Sequence, residues 1–240
     1  MASPEPSVEG ALAVFRSIED HFPSGSLGND KWYILALAAV TSGGQPEFAA
    51  NLYGHLISRP DLTSTSARQA LIRRLREALV KLVSVVGVPK PLEAVFCIAE
   101  VENEEDKDYS FSRETWSSGQ ANRVRGRQWL DQIYRANHAA TQRTLAAHKD
   151  FEWLSEEITY GLYLSDHSIL DGVDTELVVL SGIMMQNLRR ETGWHLRGIR
   201  RIGVSQKDVE RIHQCIELVA AFCGLALTKV PRVADIEHEV

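Results

Sequence analysis

Apolar residues recur at intervals of three and four along most of the chain, and this spacing constrains the fold more than any other feature of the sequence. The segment 64–87 shows it most clearly, because Leu71, Leu75 and Leu79 fall at helical intervals before Gly87. The sequence contains neither the apolar–polar alternation that marks a half-buried strand nor a strand–helix–strand pattern. It therefore predicts an all-α protein.

Glycine, proline and polar runs divide this pattern into separate helices. The segment 31–42 is apolar on every side, which predicts a central helix surrounded by the others. The segment 174–203 predicts one long helix or two stacked helices. Five acidic residues fall within 102–112, so this segment is either a linker or the solvated end of a helix. Three later segments are also expected to be helical: 115–134, 137–149 and 151–164.

The composition excludes several classes of protein. Hydrophobic residues make up 44% of the 240 residues, which is too many for a disordered chain. The formal charge is −6, so we expect no nucleic-acid partner. The longest apolar run, Trp32–Val40, is much shorter than the ~20 residues of a membrane-spanning helix. The first residues lack the basic stretch of a leader peptide. We therefore expect a cytoplasmic protein with no membrane partner.

The sequence carries no recognisable cofactor or metal motif. None of its three cysteines lies in a CxxC pair, so a disulfide framework or a cysteine-based zinc site is not expected. The histidines show neither HExxH nor any clustered spacing, which predicts no metal site. GxGxxG and GxxxxGK[ST] are both missing, and no nucleotide cofactor is indicated.

The chain contains a faint internal repeat. Glu77 and Glu176 are each followed by an apolar helical stretch, a break and a second helix. This pattern indicates two related helical units, 1–105 and 106–240, packed as one compact domain. The residue at the position of His195 in the first unit is Phe96, so we expect the first unit to be a degenerate structural copy.

Three residues of the second unit could carry chemistry together. Glu191 and His195 are four residues apart and therefore share one helical face. If the chain turns back just before them, Glu176 can reach both side chains. A carboxylate beside an imidazole favours its protonated form and fixes its tautomer, which makes a proton-transfer pair. A histidine next to a tryptophan on an apolar helix is, however, more often a hydrogen-bonded core residue than a catalyst.

The stretches TELVVLSGI and ETGWHLRGIRRIGVSQKDV resemble the carboxymuconolactone decarboxylase family of the alkylhydroperoxidase D-like superfamily. The resemblance rests on Glu176, on Trp194-His195, on Leu196-Arg197-Gly198 and on the helix start after Gly203. It is strongest over about residues 170–225 and looser over the first unit. It implies the alkylhydroperoxidase D-like helical fold, usually assembled as trimers or hexamers, and therefore a homo-oligomer.

The resemblance also implies a choice between two chemistries. Peroxidase members carry a CxxC motif between the glutamate and the histidine, and those cysteine positions are Leu188 and Glu191 here. A thiol peroxidase needs a thiolate nucleophile, so this activity is disfavoured. In the decarboxylase type, the roles carried over are His195 as general acid/base, Glu176 as its partner and Glu191 as a second carboxylate. Trp194, Arg197 and Leu188 would contact the substrate.

The sequence leaves two functions open. The first is a cofactor-independent lyase, decarboxylase or isomerase acting on a small cyclic enolisable compound, a lactone or an aromatic-derived metabolite. The second is a non-catalytic oligomeric binding or scaffold protein of the same fold. A cavity containing His195 and both acids would favour the enzyme, whereas an inaccessible His195 with no adjoining cavity would favour the scaffold. Tyr160 and Tyr163 are weaker candidates for a hydrogen bond to substrate, and packing is the simpler explanation of both.

Overall fold

The computed structural model describes residues 6–240 and confirms the all-α prediction, because every regular element in that range is helical. The α-helices, in chain order, are α1 Val8–His21, α2 Ser24–Leu27, α3 Trp32–Ser42, α4 Phe48–Ile57, α5 Thr65–Val86, α6 Pro89–Val101, α7 Gln120–Tyr134, α8 Ala136–Thr144, α9 Lys149–Trp153, α10 Gly172–Met185, α11 Arg189–Arg201, α12 Gln206–Phe222 and α13 Val233–Ile236. A π-helix, Leu154–Leu164, continues directly from α9.

Helix α3 forms the centre of the main hydrophobic core. All its residues are buried, as its uniformly apolar sequence predicts, because a helix without a polar face has no side to present to water. Helices α1, α4, α5, α10 and α12 pack around it. Helix α10 is buried along most of its length as well, and it connects this core to a second, smaller one.

The smaller core lies between α7, the π-helix and one side of α10, and it includes Tyr134 and Tyr160. Helix α7 and the π-helix approach each other closely at two glycines. A Cβ atom on Gly126 would lie 2.6 Å from the carbonyl oxygen of Glu156 and 2.8 Å from the backbone nitrogen of Gly161. The two backbones can therefore meet only where side chains are missing, and this contact fixes the position of the π-helix against α7.

The acidic segment 102–112 is neither a free linker nor simply a solvated helix end. Asp106 and Asp108 are held against α5, where Arg68 donates to Asp106 at 2.7 Å and Arg76 donates to Asp108 at 3.1 Å. Partial burial raises the pKa of Asp108, but hydrogen bonds from Ser110, Arg76 and Arg73 outweigh this effect and hold the pKa well below its usual range. Acidic residues at this position serve as partners of the arginines on α5, a long-range pairing that local composition does not reveal.

The segment 174–203 forms two helices, α10 and α11, separated at residues 186–188. The left-handed backbone of Asn187, with φ 56°, reverses the chain between them. An Asp171 capping box with Asp174 fixes the start of α10. Residues 115–119, which the sequence predicts to be helical, precede α7 instead.

Candidate functional site

Glu176 and His195 form a hydrogen-bonded pair inside the protein. The Nδ1 atom of His195 lies 2.9 Å from Oε2 of Glu176, and the two side chains are 4% and 0% exposed. The other carboxylate oxygen of Glu176, Oε1, is buried without a hydrogen-bond partner among the described residues. The pair thus combines a carboxylate that fixes the imidazole with an oxygen that is free to take a further hydrogen bond.

The turn between α10 and α11 brings the pair together. Glu176 lies in the second turn of α10 and His195 in the second turn of α11, so the reversal at Asn187 sets them side by side. Gly198 permits the close approach, because a Cβ atom there would lie 3.0 Å from Glu176 Oε2 and 3.3 Å from the Cβ atom of Ile133. The glycine in the Leu-Arg-Gly sequence therefore makes room for the carboxylate.

Two tyrosines extend this pair into a chain of four side chains. The hydroxyl of Tyr160 lies 3.4 Å from Nε2 of His195 and donates to the hydroxyl of Tyr134 at 3.2 Å. The ring of Tyr134 is edge-on to His195, with centroids 6.0 Å apart, and also edge-on to Tyr160, at 6.2 Å. Burial raises the pKa of both phenols, so both hold their protons at neutral pH.

A cavity of about 600 Å³ adjoins this chain of four side chains at Tyr134. Tyr134 lines it, together with Trp194 and Leu130, and most of its wall is apolar. Helix α8, which has no buried residue, supplies one side of the cavity, and the start of the π-helix supplies another. His195, Glu176 and Tyr160 are not among the lining residues.

The structure separates the predicted site residues into three groups. Glu176 and His195 form the buried pair. Glu191 and Trp194 line the cavity beside Tyr134, and Arg190 joins them there. Glu191 therefore lines the cavity, whereas the buried Glu176 does not, so this cavity does not hold both acids.

Arg197 and Leu188 lie away from this cavity. The Nη1 atom of Arg197 forms an ion pair with Glu239 at 3.0 Å. Arg197 lines a neighbouring cleft beside α13, and Arg190 and Trp194 line both this cleft and the main cavity. Leu188 is the exposed residue before α11 and lines neither space. Neither side chain lines the main cavity, and the ion pair with Glu239 holds Arg197 in the neighbouring cleft.

The glutamate of the first unit has a different environment. Glu77 is buried in the middle of α5, where Arg113 donates two hydrogen bonds of 2.7 Å to it. The Nζ atom of Lys81 lies 3.7 Å from the same carboxylate. Glu77 therefore balances the charges of these two cations inside the protein.

The thiols are poorly suited to act as nucleophiles. Burial raises the pKa of Cys215 to about 12 and that of Cys223 to about 11. Burial and nearby glutamates raise the pKa of Cys97 as well. Within residues 6–240, no three His, Cys, Asp or Glu side chains are grouped so that they could hold a metal ion. None of the described helices has the length and apolar character that a membrane crossing requires.

Sequence reasoning missed Tyr134, and it considered Tyr160 only as a weak candidate. Nothing local distinguishes Tyr134, which ends an ordinary amphipathic helix. Its proximity to Tyr160 depends on how α7 packs against the π-helix. Gly126 and Gly161 permit that contact, but nothing in the sequence indicates that these two glycines face each other.

The chain is distantly similar to a known protein. The chain is 23% identical over 181 residues to a protein of Schizosaccharomyces pombe named "Peroxisomal protein 2"; the match covers 70% of this chain and 82% of that protein. No family model matches the chain. No solved structure matches it either.

Proposed function

We propose that this protein is a cofactor-independent lyase or isomerase that transfers protons through Glu176 and His195. The observation that carries the proposal is the 2.9 Å hydrogen bond between two side chains that are both removed from water. Because a buried imidazole and carboxylate can exchange a proton without solvent competition, such a pair is suited to general acid–base catalysis. The resemblance of the segment around His195 to carboxymuconolactone decarboxylases supports the same chemistry.

The proposed substrate is a small cyclic enolisable compound, a lactone or an aromatic-derived metabolite. The cavity volume of about 600 Å³ lies within the range of about 300–1,000 Å³ typical of small-molecule sites. Its apolar wall and the ring of Trp194 suit a flat ring, and Arg190 can pair with a carboxylate on that ring. In decarboxylation the carbon that loses CO₂ takes up a proton. In isomerisation a proton leaves one carbon and returns to another.

Hydrogen–deuterium exchange tests this proposal on model compounds and does not require the natural substrate. A panel of butenolides, cyclic 1,3-diketones and cyclic β-keto acids would be incubated with the protein in heavy water, and masses would be followed for deuterium uptake and for loss of CO₂. We expect His195→Gln to lose the activity, whereas His213→Gln, which alters a buried histidine on α12, retains it. Equal activity of the His195→Gln variant and the wild type would contradict the proposal, and so would a wild type inert on the whole panel.

A second candidate function is binding without turnover. It is favoured by the 4% exposure of His195 and by its absence from the cavity wall. In this case compounds of the panel would raise the melting temperature of the protein without exchanging hydrogen for deuterium. Substitutions of cavity residues would then abolish the thermal shift, and His195→Gln would leave it in place.

We propose a homo-oligomer, a trimer or hexamer by family resemblance. Its support is an apolar stripe along α6 and the residue before it, where Val88, Leu92 and Phe96 are spaced four residues apart and are 54%, 44% and 54% exposed. Light scattering after gel filtration measures the mass. We expect Phe96→Glu to yield monomers and Tyr109→Glu, an exposed aromatic outside the stripe, to leave the oligomer intact. A monomeric wild type would contradict the proposal.

We propose the cytoplasm as the site of action. The relative from Schizosaccharomyces pombe is named as peroxisomal, so the sharpest test separates these two compartments. Subcellular fractionation of the natural host, with antibodies against this chain, would find it in the cytosolic fraction if the proposal is right. Enrichment with the peroxisomes would contradict it.

A further inference from the structure

We infer that Tyr134 is the side chain that exchanges a proton with the substrate, and that Tyr160 connects it to His195. This inference rests on the proposed function and identifies the catalytic residue at its site. His195 then holds the proton inside the protein, and Tyr134 is the group that contacts the ligand.

The four side chains differ in whether a ligand in the cavity can reach them. His195, Glu176 and Tyr160 all lie behind the cavity wall, and Tyr134 is the member of the chain of four that forms part of it. A ligand in the cavity can therefore touch Tyr134 without any rearrangement. His195 is 4% exposed and does not line the cavity, and the Tyr134 ring packs edge-on against its imidazole with centroids 6.0 Å apart.

The four side chains form a continuous series of hydrogen-bonding groups. The successive links are 2.9 Å from Glu176 to His195, 3.4 Å from His195 to Tyr160 and 3.2 Å from Tyr160 to Tyr134. The longest link is long for a hydrogen bond, but catalytic hydrogen bonds commonly tighten when the ligand binds. Each hydroxyl can accept one proton and give up another, as a relay requires.

Burial also affects the acidity of the two phenols. Burial raises the pKa of Tyr134 and of Tyr160, so neither holds a charge between turnovers. Glu176 is placed to balance a positive charge on the imidazole. A proton that enters the chain is therefore stored at the histidine, and the tyrosines transmit it.

The proton steps balance in both directions. When the substrate is an enolate, Tyr134 donates its hydroxyl proton to the carbon, and a new C–H bond forms from the enolate electron pair. Tyr160, which already donates to Tyr134 in the structure, passes on its own proton, and the protonated imidazole of His195 replaces it. Neutral imidazole and the Glu176 carboxylate remain. The reverse sequence removes a proton from a C–H bond and leaves its electron pair in the enolate, so the cycle needs no oxidant or reductant.

The experiment compares three phenylalanine variants in the heavy-water assay, with the panel compound that the wild type turns over fastest. Tyr134→Phe and Tyr160→Phe each remove one hydroxyl of the chain, whereas Tyr163→Phe removes a hydroxyl from the same π-helix outside it. We expect the first two to lose about 100-fold or more in kcat, the usual size of an acid–base contribution, with KM little changed. The Tyr163→Phe variant should stay within about twofold of the wild type.

A shape-preserving substitution separates catalysis from packing. 3-Fluorotyrosine at position 134 keeps the ring and its hydroxyl but makes the phenol more acidic. We expect the exchange rate at a fixed pH to change, because the acidity of the reacting hydroxyl sets how fast it gives up and regains its proton. A purely structural Tyr134 would leave this rate within about twofold of the wild type, and that result would overturn the inference.

The outcomes distinguish this inference from the proposed function. Loss of turnover in His195→Gln with normal turnover in Tyr134→Phe would overturn the inference and leave the proposed function standing. Normal turnover in His195→Gln as well as in both tyrosine variants would overturn the proposed function itself. Loss in all three variants, together with a changed exchange rate for the fluorinated protein at fixed pH, supports both.

Discussion

The amine of Lys81 provides a quantitative prediction about how the π-helix is held. It is 0% exposed, and its Nζ atom donates to the backbone oxygens of Tyr163 at 3.0 Å and Asp166 at 2.7 Å. These oxygens lie at and just beyond the end of the π-helix that carries Tyr160. Lys81→Met keeps the length of the side chain and removes the amine, so it tests what the buried charge contributes.

The expected effect follows from the pKa of this amine. Burial lowers the pKa of Lys81 from 10.5 to about 8, and the nearby Glu77 opposes the shift only in part. Between about pH 8 and pH 10.5, the unfolded chain retains a proton that the folded chain has released. The free energy of unfolding therefore rises with pH in this window. At about 1.4 kcal/mol per pKa unit, the amine costs the fold roughly 3 kcal/mol at pH 7, and this cost disappears by about pH 10.5.

Urea unfolding at pH 7, 8.5 and 10 measures this effect. The wild type should gain stability relative to Lys81→Met as the pH rises, by roughly 2–3 kcal/mol over this range. The tyrosines and cysteines are present in both proteins, so their titration cancels in the difference. Lys207→Met, which removes an exposed lysine of α12, serves as the control and should show a constant difference from the wild type. The reasoning would be refuted if the unfolding free energy of the wild type minus that of Lys81→Met stays constant or falls as the pH rises.

Three further predictions concern the site and its support. Gly198→Ala should cost roughly 1–3 kcal/mol of stability through overpacking and at least tenfold in exchange rate, measured by urea unfolding and the heavy-water assay, because the new methyl group displaces Glu176. Arg190→Gln should raise KM about tenfold for panel compounds that carry a carboxylate, whereas Arg197→Gln, whose guanidinium is paired in the other cleft, should leave KM unchanged. Gly126→Ala should lower the melting temperature by several degrees in calorimetry, because its methyl group would meet the π-helix backbone at 2.6 Å.

The local sequence predicts those features that depend on the distribution of apolar residues along a short segment. The central helix α3 could be predicted because apolar residues lie on every side of it, so it has no polar face to turn toward water. The pairing of Glu176 with His195 could be predicted from one helical face and one break between helices. Both features depend on short stretches of chain and on a single turn.

The rest depends on contacts between distant segments. The π-helix has the same apolar spacing as an α-helix over 151–164, so periodicity cannot identify it. Tyr134 and Tyr160 meet because Gly126 and Gly161 let two backbones touch, a tertiary contact that neither stretch encodes alone. The direction of Arg197 is set by Glu239 near the C-terminus, which local helical geometry around His195 does not contain.

The exchange rate of Glu176→Gln tests the central claim most directly. Glutamine preserves the shape of the side chain and its contact with His195, but it removes the negative charge that balances a protonated imidazole. If the buried pair transfers protons, this variant should fold normally and exchange deuterium into the best panel compound at least about 100-fold more slowly than the wild type. A folded Glu176→Gln variant that exchanges within about twofold of the wild-type rate would contradict the claim.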